Sequence, residues 1–185
     1  MKLIKASVLA LLGAAWLGTS LHAQSTNIFH TDIESFEAQT NVLIVKGFGS
    51  GDTVSVGGGV LTMRLKESYS PGSGTKLQAL VLDFTEGQFR ERAVIDYAEI
   101  PSLLAALDYI RSASYDVTGL PAFEAVYQTK DGFRVLCVGT HRQSSVQAYV
   151  QFDGCQRIPL NSDQMAQLRG AITQGKNSLD DLKPK

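Results

Sequence analysis

Short apolar runs and alternating apolar and polar residues follow one another in the first half of the chain, from about residue 41 onward. Residues 60–66 alternate strictly, which is typical of a strand with one buried face and one face in water. The segments that predict strands in this half are 42–45, 60–66, 77–84 and 93–97. We therefore expect about four strands, joined by turns.

The apolar spacing then changes from that of a strand to that of a helix. Pro101 suits the first helical turn, where its missing N–H needs no partner. The apolar residues that share one helical face are Ile100, Leu103, Leu104, Leu107 and Ile110. We predict a helix that packs on the sheet with this face and ends near residues 112–114.

The second half repeats this order of elements. Its predicted strands are 123–129, 133–140, 146–152 and 155–160. Asp131-Gly132 and Asp153-Gly154 are hairpin signals between them. Asn161 and Gln164 have the spacing of a capping box, so a final helix is expected to begin there.

Together these patterns predict an α+β fold in a single domain over residues 41–183. The domain is antiparallel and β-rich, with two β4-α-like halves at about 41–114 and 120–183. Each half is expected to be closed by a helix. The order of elements, four strands and a helix given twice, predicts an internal duplication of topology rather than of residues.

The final helix carries a long apolar stripe, formed by Met165, Leu168, Ile172, Leu179 and Leu182. A helix of about 21 residues spans roughly 31 Å, whereas a six-residue strand spans only about 20 Å. We expect the stripe to pack on the chain's own sheet up to Ile172. For Leu179 and Leu182 we hypothesise a weak homo-oligomer contact, so truncation after Gln174 is expected to leave the fold intact.

Two glycine-rich segments interrupt the strands of the first half. Residues 47–51 follow a predicted strand but lack the G-x-G-x-x-G spacing of a dinucleotide-binding loop. The residues after them alternate like a strand, where a phosphate-binding loop requires a helix. We predict a hairpin turn at 47–51, a bulge or bend at 57–59, and no bound cofactor.

The first 23 residues have the pattern of a secretory signal peptide. Lys2 and Lys5 form a basic start, residues 6–18 are apolar, and Ala23 occupies the expected cleavage position. The apolar run is about 13 residues, shorter than the roughly 20 of a membrane-spanning helix. We predict cleavage before Gln24 and a secreted or periplasmic protein, with an uncleaved anchor as the alternative. No cysteine near the cleavage position offers a lipoprotein attachment site.

Residues 24–40 are polar and weakly patterned, with acids at Asp32, Glu34 and Glu37. We interpret them as a flexible lead-in that contains at most one helical turn. Removal of residues 1–23, which carry two lysines and no acid, leaves 15 basic and 18 acidic residues and a net charge of −3. A weakly acidic chain has no electrostatic footprint for nucleic acid or for anionic membranes.

The duplicated β-β-β-β-α order resembles that of the whirly and PC4-like single-strand-binding proteins, over about residues 41–183. The resemblance implies a fold. It carries over no binding residue, because no family motif matches residue by residue. Export and net acidity argue against nucleic acid as the partner of this chain.

Three residues are the candidates for catalysis. Asp83 and Asp96 are acids in otherwise apolar strands, and a pair of buried carboxylates can exchange protons with a substrate. The alternatives are that they point outward or that Asp96 caps the following helix. His141, in a predicted hairpin loop, is a general base only if a partner positions it. The alternative is a solvated loop histidine.

Aromatic and basic residues near strand ends are the candidates for binding: Tyr127, Arg134, His141, Arg142 and Tyr149. Aromatic rings flanked by basic groups on a sheet can bind sugars, peptides or single strands. For this purpose Tyr127 and Tyr149 are expected to share a sheet face. The alternative is an ordinary sheet surface of mixed charge.

Cys137 and Cys155 permit a disulfide in an exported protein. In a simple meander they lie two strands apart, at roughly 10 Å, beyond the reach of about 7 Å that a disulfide needs. Two separate buried side chains are therefore preferred to a disulfide or to a catalytic thiol. The three histidines have no metal-ligand spacing, so no metal site is predicted.

These observations favour a non-enzymatic binding or interaction protein with an unknown ligand or protein partner. The alternatives are a small periplasmic enzyme whose site is assembled from distant residues, and single-strand or polyanion binding through a sheet surface. A pocket that gathers Asp83, Asp96 or His141 would favour the enzyme.

Overall fold

A computed structural model describes residues 29–142 and 144–182. The predicted signal peptide and its cleavage site lie outside these residues. The helices are α1 (Asp32–Glu37), α2 (Ile100–Ser112) and α3 (Ser162–Asp181), with a 3-10 turn at Tyr97–Glu99. The strands are β1 (Val45–Val56), β2 (Gly59–Tyr69), β3 (Lys76–Glu86), β4 (Phe89–Asp96), β5 (Ala122–Gln128), β6 (Arg134–Thr140), β7 (Ser145–Gln151) and β8 (Ile158–Leu160).

The strands form two antiparallel sheets, each in chain order. The first sheet is β1-β2-β3-β4 and the second is β5-β6-β7-β8. The predicted α+β class, with four strands and a helix in each half, is confirmed. Strands of the first sheet are long, up to 12 residues, because β1 pairs with β2 through a segment that looks like a turn in the sequence.

The first hairpin turn lies at residues 57–58, not at 47–51 as the glycine pattern suggested. Residues 47–51 belong to β1, which pairs with β2 from Val45 to Val56 and has a register shift between Ser50 and Thr53. A bulge of this kind absorbs one extra residue without ending the strand. The prediction of a buried strand at residues 42–45 is also wrong, because Leu43 precedes β1 and is exposed.

Each of the two long helices packs on the sheet of the other half of the chain. α2 follows the first sheet but packs on β5 and β6 of the second, whereas α3 follows the second sheet and packs on β1, β2 and β3. Each sheet is therefore closed by a helix from the other half. One core cluster joins both sheets and both helices, which makes the halves a single packed unit.

α3 crosses the first sheet at Gly175. A Cβ at this position would lie 2.9 Å from Leu80 Cδ2 and from Met63 Sδ, so only glycine permits the helix to approach this closely. Further along, Leu179 is fully buried and Leu182 is 49% exposed. The hypothesis that Leu179 overhangs the domain is therefore wrong. The strands beneath α3 have 11 or 12 residues rather than six, so the sheet is long enough to cover it.

The described part of the predicted lead-in contains α1, which lies on the face of the first sheet opposite to α3. Thr31 caps this helix and accepts a hydrogen bond from Glu34 N at 3.2 Å. Ile33 is fully buried against Val81 and Val94 of the sheet. We call this side of the first sheet its outer face. α1 covers only one half of that face.

Candidate functional site

Asp83 lies on the outer face of the first sheet, between two arginines. Its Oδ2 accepts a hydrogen bond from Arg64 Nε at 2.7 Å, and its Oδ1 accepts one from Arg92 Nε at 2.7 Å. Both carboxylate oxygens are thus engaged by fixed cations. The geometry fits a residue that positions the two guanidinium groups better than one that transfers protons.

Asp96 is buried and holds the start of α1. Its Oδ2 accepts from Asp32 N at 2.7 Å, and its Oδ1 accepts from Ile33 N at 3.2 Å. Lys130 Nζ lies 3.3 Å from the same carboxylate. Asp96 faces Ala79 across the strand pair, four residues along β3 from Asp83, so the two carboxylates are roughly 13 Å apart. They form no catalytic pair.

His141 lies in the turn between β6 and β7, in the second sheet. Its Nε2 is 3.2 Å from the Thr118 carbonyl oxygen, and its ring meets the edge of Tyr115 at a centroid distance of 5.8 Å. Both rings are exposed. The three candidates for catalysis therefore lie in three separate places, and each is engaged by its own neighbours.

The two candidate tyrosines lie on opposite faces of the second sheet, so the expectation of a shared face is wrong. Tyr127 pairs with Val135, and Tyr149 pairs with Leu136. Adjacent residues of one strand point to opposite faces, which separates the two rings. Tyr127 packs against the core with its hydroxyl 3.5 Å from the Glu99 carbonyl oxygen, and burial raises its pKa.

Arg134 and Arg142 are also separated. Arg134 lies on the same face as Tyr149 and donates from Nε to Gln128 Oε1 at 2.9 Å. Arg142 is exposed in the turn beside His141. The five candidates for binding are thus spread over two faces and one turn, and they form no common surface.

Both cysteines are free thiols. Cys137 is buried in β6, and Cys155 lies in the loop before β8, where its Sγ donates to the Asp153 carbonyl oxygen at 3.3 Å. Burial raises the pKa of both thiols, and the Glu91 carboxylate raises that of Cys155 further. Neither thiol is set up as a thiolate nucleophile at neutral pH.

A cleft of about 720 Å³ opens between the two halves of the chain. One wall is formed where β3 ends and β4 begins, by Phe84, Glu86, Phe89 and Glu91. The other wall is formed by residues 154–159, which comprise the loop before β8 and the start of that strand. We call it the inter-half cleft. Its size is that of ligand pockets in general.

The apolar floor of the inter-half cleft is the end of a row of phenylalanines. The ring of Phe89 meets that of Phe84 at 6.1 Å, Phe84 stacks on Phe152 at 5.9 Å, and Phe152 meets Phe133 at 5.3 Å. Phe84 is fully buried and Phe89 is 43% exposed. The floor is therefore anchored in the core while its outer ring is accessible to a ligand.

The turn at residues 57–58 shapes the cleft. Gly57 has φ +54°, and a Cβ there would lie 2.6 Å from Ile158 Cγ2. At Gly58 a Cβ would lie 2.4 Å from Glu86 Oε1. Because Gly57 and Gly58 have no side chain, the turn can lie in contact with both β8 and the Glu86 carboxylate.

The charged groups of the cleft are Glu86, Glu91 and Arg157. Arg157 is already engaged, because its Nη2 donates to both carboxylate oxygens of Glu124 at 3.0 and 3.1 Å. Glu86 and Glu91 form no ion pair within the described part of the chain. The cleft therefore presents two uncompensated negative charges beside an apolar floor.

A second groove, of about 740 Å³, lies between the end of α2 and the start of α3. Three of its polar side chains are used by the fold. Asn161 and Gln164 form the capping box of α3, as predicted, and Gln147 Nε2 donates to the Leu160 carbonyl oxygen at 3.2 Å. Unlike the inter-half cleft, this groove has neither an acidic side chain nor an aromatic ring among its lining residues.

Within residues 29–142 and 144–182, no group of three or more His, Cys, Asp or Glu side chains is placed to hold a metal ion. No helix in that same part of the chain is long and apolar enough to cross a membrane.

Comparisons with known proteins give little. No family model matches the chain, and no curated protein matches it. A solved structure described as the plant transcriptional regulator PBF-2 aligns with 15% sequence identity over 77% of this chain and 89% of its own. Its TM-score is 0.29. At this TM-score the two chains superpose too poorly for the likeness to inform on this one.

The residues of the inter-half cleft were not among the sequence candidates. Phe89 and Glu91 follow a turn at the start of β4, and Ile158 begins the shortest strand. A sequence signal was present in Phe89, an aromatic residue beside a glycine turn. Nothing in the local pattern shows that the loop 154–157, more than 60 residues away, lies opposite it.

Proposed function

We propose that this chain is an exported, non-enzymatic binding protein that holds a small amphipathic cation in the inter-half cleft. The observation that carries the proposal is the pairing of an apolar aromatic floor with two uncompensated carboxylates. Pockets of this composition bind by burying an apolar body and orienting it with a few polar groups. Export rests on the signal pattern of residues 1–23.

The cleft defines the chemistry of its ligand. An apolar body of about one aromatic ring would cover Phe89 and Ile158, and the burial of apolar surface drives such binding. A cationic end would lie beside Glu86 and Glu91. An anionic end would be repelled by both carboxylates. Arg157 would offer it little attraction, because Glu124 already neutralises that guanidinium group. The cleft therefore selects a cation over an anion of equal size.

Binding fits the geometry better than catalysis does. Asp83, Asp96 and His141 are the residues whose chemistry suggested an enzyme, and none of them lines the inter-half cleft. Cys155 does line the cleft, but burial and the Glu91 carboxylate raise the pKa of its thiol, so the thiolate is disfavoured. A periplasmic enzyme would require acid, base or nucleophile to converge on one point.

The binding proposal is tested by calorimetric titration with phenylbutylamine and with its anionic counterpart, phenylbutyrate. We expect the amine to bind more tightly. Glu91→Gln should weaken amine binding by about two- to fivefold, as loss of a partly exposed charge pair does. Phe89→Ala should weaken both ligands. Asp181→Asn, which removes an exposed carboxylate at the end of α3, serves as the matched control.

Two outcomes would contradict the proposal. One is equal affinity for the amine and the acid. The other is the same loss of affinity in Glu91→Gln and Asp181→Asn, which would show that only the net charge of the protein matters. Turnover of a substrate by a group in the cleft would favour the enzyme instead.

Export is tested separately, by mass spectrometry of the protein recovered after expression from its full-length gene. We expect a mature N-terminus at or near Gln24, in the soluble fraction outside the cytoplasm. A product that retains Met1 and sediments with membranes would contradict the prediction of a cleaved signal.

A further inference from the structure

The half of the outer face that α1 leaves uncovered carries a cluster of arginines. Arg90 and Arg92 are two residues apart on β4, so both project from the same face at a spacing of about 7 Å. Arg64 reaches this point from β2, two strands away. A shallow depression of about 480 Å³ lies over these three side chains and Asp83.

The arginines are held in place while their outer edges stay accessible. Asp83 accepts from Arg64 and Arg92 on its two oxygens, which fixes both guanidinium planes. Their side chains are still 40% and 63% exposed. Arg90 is exposed and makes no hydrogen bond or ion pair within residues 29–142 and 144–182. Three arginines and two carboxylates, those of Asp83 and Glu91, line the depression and leave a net charge of +1 there, in a chain that is acidic as a whole.

Hydroxyl groups surround the arginines on the same face. These hydroxyls belong to Ser50, Thr53, Ser55, Thr62 and Thr85. In the described part of the chain, none of these side chains makes a hydrogen bond. They extend the surface over all strands from β1 to β3, so with β4 it is about 14 Å wide. A surface of free hydroxyls and fixed guanidinium groups can pair with a polymer that carries both hydroxyl and carboxylate groups.

We propose that the surface around Arg64, Arg90 and Arg92, here called the arginine face, binds an acidic polysaccharide at a second site beside the inter-half cleft. Guanidinium groups pair with carboxylates through two parallel hydrogen bonds, and free hydroxyls can bond to sugar hydroxyls. A single-stranded nucleic acid fits less well. Such ligands stack successive bases on several aromatic rings, and Phe48 is the exposed aromatic residue of this face among the described residues.

The test is a titration at low, fixed ionic strength with three probes of equal length: an oligogalacturonate dodecamer, a neutral maltodextrin and a dodecathymidylate. The galacturonate should bind, more tightly than the thymidylate, and the maltodextrin should not. Arg90→Gln should weaken galacturonate binding about tenfold. Because Arg90 has no partner within the described chain, its replacement should leave the thermal midpoint unchanged. Arg92→Gln provides a second variant.

Arg111→Gln is the matched control, because it removes one exposed arginine from the far end of α2 and alters net charge equally. It should leave galacturonate affinity unchanged. Equal losses in Arg90→Gln and Arg111→Gln would overturn the proposal, since they would show non-specific attraction. Tighter binding of the thymidylate would also overturn it, as would the absence of galacturonate binding.

Discussion

Leu103 and Leu104 are adjacent on α2 and look alike in the sequence, yet only Leu103 is fully buried. Leu103→Ala should therefore lower the free energy of unfolding by about 2–5 kcal/mol, the cost of an unfilled core cavity. Leu104 is partly buried, and its replacement should cost about 1 kcal/mol. Urea denaturation of the two variants measures both values. Equal costs would mean that the buried face of α2 is rotated from its described position.

Glu37 links α1 to the first sheet, and its ionisation should make stability depend on pH. Its carboxylate accepts hydrogen bonds from Lys46, Lys66 and Ser68 at 2.5–2.9 Å. Burial by itself would raise the pKa of Glu37, but these bonds outweigh it, and the pKa lies below its ordinary value of 4.5. The stability that Glu37 contributes is therefore present above pH 4.5 and is lost as the pH falls through the lowered pKa.

Glu37→Gln should accordingly lower the free energy of unfolding by about 1–3 kcal/mol at neutral pH. The difference from the unmodified protein should shrink as the solution is acidified below the pKa of Glu37. Denaturant titrations over a pH series measure this difference directly. A constant difference at all pH values would contradict the proposed role of the charge.

At the scale of elements, the exchange of helices makes the two halves depend on each other. α3 belongs to the second half but covers the first sheet, and α2 does the reverse. α1 adds a further link, since Asp96 of β4 holds its first turn and Lys130 of the second half reaches the same carboxylate. We therefore expect one cooperative unfolding transition rather than two.

Truncation after Gln174 tests the role of the last turns of α3. The sequence stripe suggested that these turns overhang the domain, so that their removal would be harmless. In the structure Gly175 and Leu179 face the first sheet, and Gln78 Nε2 donates to the Leu179 carbonyl oxygen at 3.2 Å. Truncation should strongly destabilise the fold, as seen by circular dichroism on heating. An unchanged midpoint would restore the overhang hypothesis.

At the scale of the whole molecule, the local sequence pattern predicted the type and order of the elements but not how they pack together. The periods of two and of 3.6 identified strands and helices, and the Asn161 capping box located the start of α3. Three features depended on distant contacts instead. The glycines at 47–51 looked like a turn, but pairing with β2 keeps them in a strand. The exchange of helices and the position of Asp96 under α1 have no local signal at all.

The candidate sites show the same limit. The inter-half cleft is built from a turn at 57–58, the start of β4 and the loop before β8, which lie far apart in the sequence. The arginine face joins Arg64 to Arg92 through strand register. Net charge over the whole chain concealed this cluster, because acidic residues elsewhere outnumber it. Composition describes the average surface, whereas binding depends on what the fold brings together.

The central claim is that the inter-half cleft is the ligand site, and amide chemical-shift mapping with phenylbutylamine tests it most directly. The account predicts saturable shifts on both walls at once, at residues 84–91 and at 154–159, with the same dissociation constant. The shifts should be reduced in Phe89→Ala. Shifts confined to the groove beside Arg111, or scattered over the surface without saturation, would contradict the claim.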